Sequence, residues 1–170
     1  TEVNVFDWNE FVLPLFGVDL EKEIGVPENA QKFNNIIESS DAIVISLAEH
    51  NGLPSAAFKN LWDWTSRINA KFWADKPMFL AAASPGGRGG ASVLSVCKNA
   101  FPHFGGNIIV DFSLPKFYDN FKEGKLVNND LKADLESSDP DVVSQARLDL
   151  EEFIAEEFRK YAMNGGTFKV

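Results

Sequence analysis

Two short polar turns hold most of the residues in this chain that could do chemistry. The first, Glu49-His50-Asn51-Gly52, closes an almost unbroken apolar run from Ala42 to Ala48. The second, Ser84-Pro-Gly-Gly-Arg-Gly-Gly90, follows another apolar run, Pro77–Ala83. Neither turn contains a nucleophile paired with a base. Glycines leave no Cβ in the way, so main-chain N–H groups can come close to a flat ligand, and a following helix aims its own unpaired N–H groups at the same place. Donors of this kind stabilise negative charge that develops on a bound group without any proton transfer from the protein. Arg88 lies between Gly86-Gly87 and Gly89-Gly90. It is either a cation for an anionic nucleotide or a solvated side chain. His50 alone reads more simply as a loop residue than as an acid or base, and Glu49 could serve only to cap or orient its turn.

The elements around these turns follow from periodicity. Residues 2–8 alternate well enough for a short strand, and residues 11–25 read as a loop broken by Pro14 and Gly17. Pro27 opens a helix whose Ala30, Phe33, Ile36 and Ile37 share a face. The apolar stretch at 42–47 is a strand covered on both faces. A helix over residues 55–68 follows, with Phe58, Leu61, Trp62 and Thr65 at helical spacing. Pro77–Ala83 is the next strand. After the glycine-rich turn comes a helix using Val93, Leu94, Cys97, Ala100 and Phe101, and then a strand at 107–112. Residues 115–129 are irregular and aromatic, and 141–163 make a last helix. Strand alternating with helix implies a parallel sheet. Both turns then sit at the carboxyl ends of strands, on the ligand-binding edge of such a sheet. On the helix at 55–68, Asp63 and Arg67 are spaced as an exposed ion pair. Trp62 and Trp64 point to different faces, one of them a candidate for a subunit interface.

Composition sets the outer limits. With 170 residues, 45% hydrophobic and 24% charged, the chain suits one soluble domain. A net charge of −9 argues against a nucleic-acid partner, which needs a basic surface to displace counterions, and disfavours an anionic membrane surface. No apolar stretch is long enough to span a bilayer. The single cysteine, Cys97, reads as core packing and suits a reducing cytoplasm, and two histidines far apart make a zinc site unexpected.

Ala48-Glu49-His50-Asn51-Gly52, followed by Ala56-Ala57-Phe58-Lys59-Asn60 and Asp63-Trp64, resembles the NADPH-dependent FMN reductase family. Its usual turn is Pro-Glu-Tyr-Asn-Gly, so Ala48 stands for the proline and His50 for the tyrosine. Residues 84–90 are similar to that family's second flavin loop, and Asn120-Phe-Lys-Glu-Gly-Lys-Leu126 looks like its late Phe-x-x-x-Gly-x-Leu stretch. The resemblance implies a flavodoxin-like α/β three-layer sandwich with a parallel sheet in the order 2-1-3-4-5. It also implies bound FMN, NAD(P)H as electron donor, a small-molecule electron acceptor such as a quinone, and a homodimer or homotetramer. By the same resemblance Glu49, His50, Asn51 and Gly52 line one side of the flavin ring, and Ser84, Gly86, Gly87, Arg88 and Gly89 the other. No metal and no protein acid or base is implied, because the flavin carries the hydride chemistry. In that order residues 1–170, read as a single domain, lack a counterpart of strand 1 and its phosphate loop. A preceding segment of about 30 residues, on the scale of a βα unit, is therefore expected. Two rivals stay open: an electron carrier of the same fold without NAD(P)H turnover, and a relative that has lost FMN.

Overall fold

The computed structural model describes residues 4–123 and 125–137. At its centre is a three-stranded parallel sheet of β1 (Ile43–Leu47), β4 (Pro77–Ala83) and β5 (Asn107–Leu114), in the order β1-β4-β5. Ile43 pairs with Met78 and Pro77 with Asn107, so all three strands run the same way and end on one edge. Helix α2 (Glu28–Ser39) precedes β1, α3 (Ala56–Ile68) lies between β1 and β4, and α4 (Ala91–Ala100) lies between β4 and β5.

Strand alternation divides the core. Met78, Leu80 and Ala82 of β4 point toward Phe33 and Ile37 of α2, Phe58, Leu61 and Trp62 of α3, and Val93, Leu94 and Cys97 of α4. Phe79 and Ala81 point the other way, onto Phe112, Leu114, Phe117 and Leu126. Among the described residues the sheet thus carries a helical layer on one face. The expected helix at 141–163 lies outside the described residues.

The first part of the chain differs from expectation. Residues 4–7 pair with no strand among the described residues, and Trp8–Glu10 forms a 3-10 turn. A strand persists only by pairing. The outer edge of β1 also lacks a partner among the described residues, and a cavity of about 150 Å³ lies between it and residues 4–8. Aromatic packing holds the segment instead, with the Trp8 ring 4.9 Å from that of Phe58 and 5.7 Å from that of Phe33. Of the order 2-1-3-4-5, only the last three strands are present as a ladder in the described residues.

The expected loop at 11–25 contains α1 (Val18–Ile24), bounded by Gly17 and by Gly25 at φ 71°. It buries no residue, so it has no apolar stripe to announce it. The aromatic stretch after β5 is also more regular than expected. It holds α5 (Phe117–Asn120), a hairpin of β6 (Phe121–Lys122) and β7 (Lys125–Leu126), and the start of α6 (Asn129–Ser137).

Helix α3 is built as its sequence suggests, with Ser55 accepting from the Phe58 N–H at its start. Its ion pairs are not the expected ones. Asp63 meets Lys59 at 2.6 Å, one turn back, and Arg67 reaches Glu21 of α1 at 2.8 Å. Both tryptophans are covered by their own chain. Trp62 packs edge-on to Phe101 and Phe104. Trp64, fully buried, stacks edge-on with Phe16 and donates its indole N–H to the Pro14 carbonyl at 2.8 Å. Asn60 completes this clamp, accepting from the Phe16 N–H at 2.8 Å and donating to the Pro14 carbonyl. The Asn60 and Trp64 positions of the family-like helix therefore hold residues 13–16, and neither tryptophan is free for a subunit contact.

Candidate functional site

The first turn is a hairpin. Glu49–His50 (β2) pairs antiparallel with Leu53–Pro54 (β3), Glu49 opposite Pro54 and His50 opposite Leu53. Asn51 at φ 54° and Gly52 at φ 80° are both left-handed, the backbone of a type I′ turn, for which Asn-Gly is the favoured pair. His50 and Asn51 are exposed, and Gly52 lies against the first turn of α4, where an added Cβ would sit 3.7 Å from Ser92 Cβ. Glu49 is half-buried and turns inward: its Oε2 accepts from the Val93 N–H at 3.0 Å.

The second loop, residues 84–90, leaves β4 at the same edge. Five of its seven carbonyls are taken by the protein. Ser84 accepts from the Phe117 N–H at 3.0 Å, Gly86 from the Lys116 N–H at 2.9 Å, and Gly89 from the Ser113 hydroxyl at 3.0 Å. Arg88 and Gly90 accept from the N–H groups of Ala91 and Leu94. The Ser84 N–H donates to Leu114, and its hydroxyl to the Gly86 carbonyl at 3.2 Å. By contrast, the N–H groups of Gly86, Gly87, Arg88, Gly89 and Gly90 find no acceptor among the described residues. Among the described residues the loop has spent most of its acceptors inward and kept the donors of residues 86–90.

Two of its glycines are required by shape. Gly89 (φ 58°) presses on the exit of β5, and a Cβ there would lie 2.3 Å from Ser113 Oγ and 2.7 Å from the Pro115 nitrogen. Gly90 (φ 78°) presses on β4, with 2.5 Å to the Ala82 Cβ. The Arg88 guanidinium donates to the Ser92 hydroxyl, so it is directed at α4.

All nine residues singled out in the sequence thus sit at one edge of the sheet, in two loops that meet on the first turn of α4. Sequence reasoning missed the third member, the β5–α5 junction. Ser113, Leu114 and Lys116 anchor the glycine loop there, and Lys116 adopts φ 46°. No spacing or residue type flagged that role. Cys97 is buried in the α4 core face, and desolvation pushes its thiol from 9.0 up to about 12, which makes it inert. Among the described residues there is no group of three or more His, Cys, Asp or Glu able to hold a metal. None of the helices there is long and apolar enough to cross a membrane.

The donor set fits a planar ring with an electron-rich edge. It does not fit a phosphate at the start of α4, where the Glu49 carboxylate already occupies the positive end of the helix.

An α/β fold with a parallel sheet and a donor-rich loop at its carboxyl edge is the class that these observations define. The flavoenzyme NAD(P)H:(acceptor) oxidoreductase FerB of Paracoccus denitrificans shares this fold. Its alignment has a TM-score of 0.55 and 24% identity, covering 85% of this chain and 76% of that one. The chain belongs to the NADPH-dependent FMN reductase family, whose model matches residues 1–119. It is 33% identical over 79 residues to a quinone reductase of Escherichia coli K12, spanning 46% of this chain and 42% of that protein. To a probable NADPH:quinone oxidoreductase of rice it is 31% identical over 84 residues, 49% of this chain and 41% of that one. The matched part spans less than half the length of these relatives.

Proposed function

We propose that the chain is an FMN-dependent oxidoreductase that passes electrons from NAD(P)H through bound flavin to a quinone, a free flavin or another small acceptor. The observation that carries this reading is the run of five main-chain N–H groups, from Gly86 to Gly90, that find no acceptor among the described residues. FMN, when bound, supplies the redox chemistry, which needs no protein acid or base. The task of this chain is to bind and orient the ring. Gly86, Gly87, Arg88 and Gly89 offer donors to the ring edge that gains negative charge on reduction, and Ser84 holds Gly86 in place. The hairpin at 49–52 forms the opposite side, with His50 and Asn51 exposed at its tip. Family membership and the relatives' names support the same activity.

A homodimer or homotetramer is part of the reading. Exposed Val12, Leu15 and Val18 supply an apolar surface for it, in place of the buried Trp62 and Trp64. The free thiol of Cys97 fits a reducing compartment such as the cytoplasm. The decisive measurement is the visible spectrum of the full-length protein before and after anaerobic NADPH. Flavin absorbance that bleaches on addition is the expected result. A folded full-length protein that neither carries FMN nor takes it up sinks the reading, and flavin that stays oxidised reduces it to an electron carrier.

A further inference from the structure

We propose that Glu49 is a positioning residue of the ring site: its carboxylate latches the first turn of α4 to the 49–54 hairpin, so that the hairpin and the glycine loop are held in fixed relation as the two sides of the ring. The proposal rests on reading the two loops as a single flavin site.

Helix α4 begins after Gly90 with no side-chain cap of its own. The first N–H groups of a helix have no partner within it and need an acceptor from outside. Here Val93, third in the helix, receives its acceptor from Glu49, 44 residues earlier in the chain. A carboxylate suits this place better than a neutral acceptor, because it also meets the positive end of the helix dipole. Two hydrogen bonds converge on adjacent residues, with Gly52 close beside them. Glu49 holds the Val93 N–H and the Arg88 guanidinium donates to the Ser92 hydroxyl, while a Cβ added at Gly52 would sit 3.7 Å from the Ser92 Cβ. Since Ala91 and Leu94 are bonded to the carbonyls of Arg88 and Gly90, fixing Val93 also fixes the exit of the glycine loop. Glu49 therefore acts through α4 and does not itself line the ring.

The test uses full-length Glu49→Ala and Glu49→Gln proteins, first without added FMN. Amide hydrogen exchange at Val93 is expected to speed up about tenfold or more in E49A, and to return most of the way in E49Q, which keeps an acceptor oxygen. FMN titration should then show Kd raised about tenfold in E49A and less in E49Q. Weakened FMN binding with unchanged Val93 exchange overturns the proposal and makes Glu49 a direct ring contact. Unchanged exchange with unchanged affinity overturns it too. A wild-type chain that binds no FMN defeats the functional reading, while the exchange at Val93 still decides whether the latch exists.

Discussion

The two loops at the carboxyl edge of the sheet are built on opposite plans. The hairpin at 49–54 is locally determined: an Asn-Gly turn closes it, and one long-range bond, from Glu49 to α4, ties it down. The glycine loop at 84–90 makes no ladder of its own. It is held from outside, by carbonyl bonds from Ser113, Lys116 and Phe117 and by two glycines wedged against neighbouring strands. The hairpin therefore presents side chains, and the loop presents backbone. A site that must offer several donors within a few ångströms needs the second plan, because side chains are too bulky and too mobile to crowd that closely.

The contrast breaks most easily at the wedged glycines. Gly89→Ala drives a methyl into Ser113 Oγ and the Pro115 nitrogen at a left-handed backbone position. It is expected to cost about 3 kcal/mol and to abolish FMN binding, read by thermal melting and flavin titration. Gly87→Ala meets nothing within 4 Å and should stay within about 0.5 kcal/mol of wild type. Equal stability for the two variants would show that the loop is not pinned as described.

On the hairpin, Gly52→Ala puts a side chain at φ 80° and should cost about 1–2 kcal/mol. Denaturant midpoints would measure it, and no loss would mean that the turn is not type I′. Removing an outside anchor, by Ser113→Ala, deletes the bond to the Gly89 carbonyl and should cost about 1 kcal/mol while weakening FMN binding more than Gly52→Ala weakens it. The reverse ranking for FMN would make the hairpin the dominant wall.

The smallest effect is at Cys97. Burial raises the Cys97 thiol from 9.0 to about 12, so the unfolded thiol ionises more readily than the folded one. Below pH 9 both states are protonated and nothing changes; from pH 9 toward 12 the unfolded state loses its proton first and stability falls. A thiol reagent at pH 8 should leave the native protein unlabelled, and rapid labelling would contradict the burial.

Much of this was legible in the residues. The strands at 43–47 and 77–83 are continuous apolar runs, and α2, α3 and α4 show helical spacing, so their existence and order could be read directly. The two loops followed, since parallel strands place their exits on one edge. What could not be read was what each residue touches. Residues 2–8 alternate like a strand, yet residues 4–7 have no ladder in the described structure, because pairing is a property of two segments. Helix α1 has no buried face to betray it. Asp63 and Arg67 were in helical register for each other and found Lys59 and Glu21 instead.

Residue types and spacing determined the parallel α/β class and the sheet edge at which both loops lie, and the family resemblance singled out the nine residues gathered there. Only the tertiary structure decided their division of labour. It turned Glu49 and Arg88 inward to α4, used Asn60 and Trp64 to clamp residues 13–16, and left the N–H groups of residues 86–90 with no acceptor among the described residues. The reason is physical. Periodicity is a local property that a sequence displays, whereas which donors stay free depends on hydrogen bonds made across 24 and 44 residues of chain.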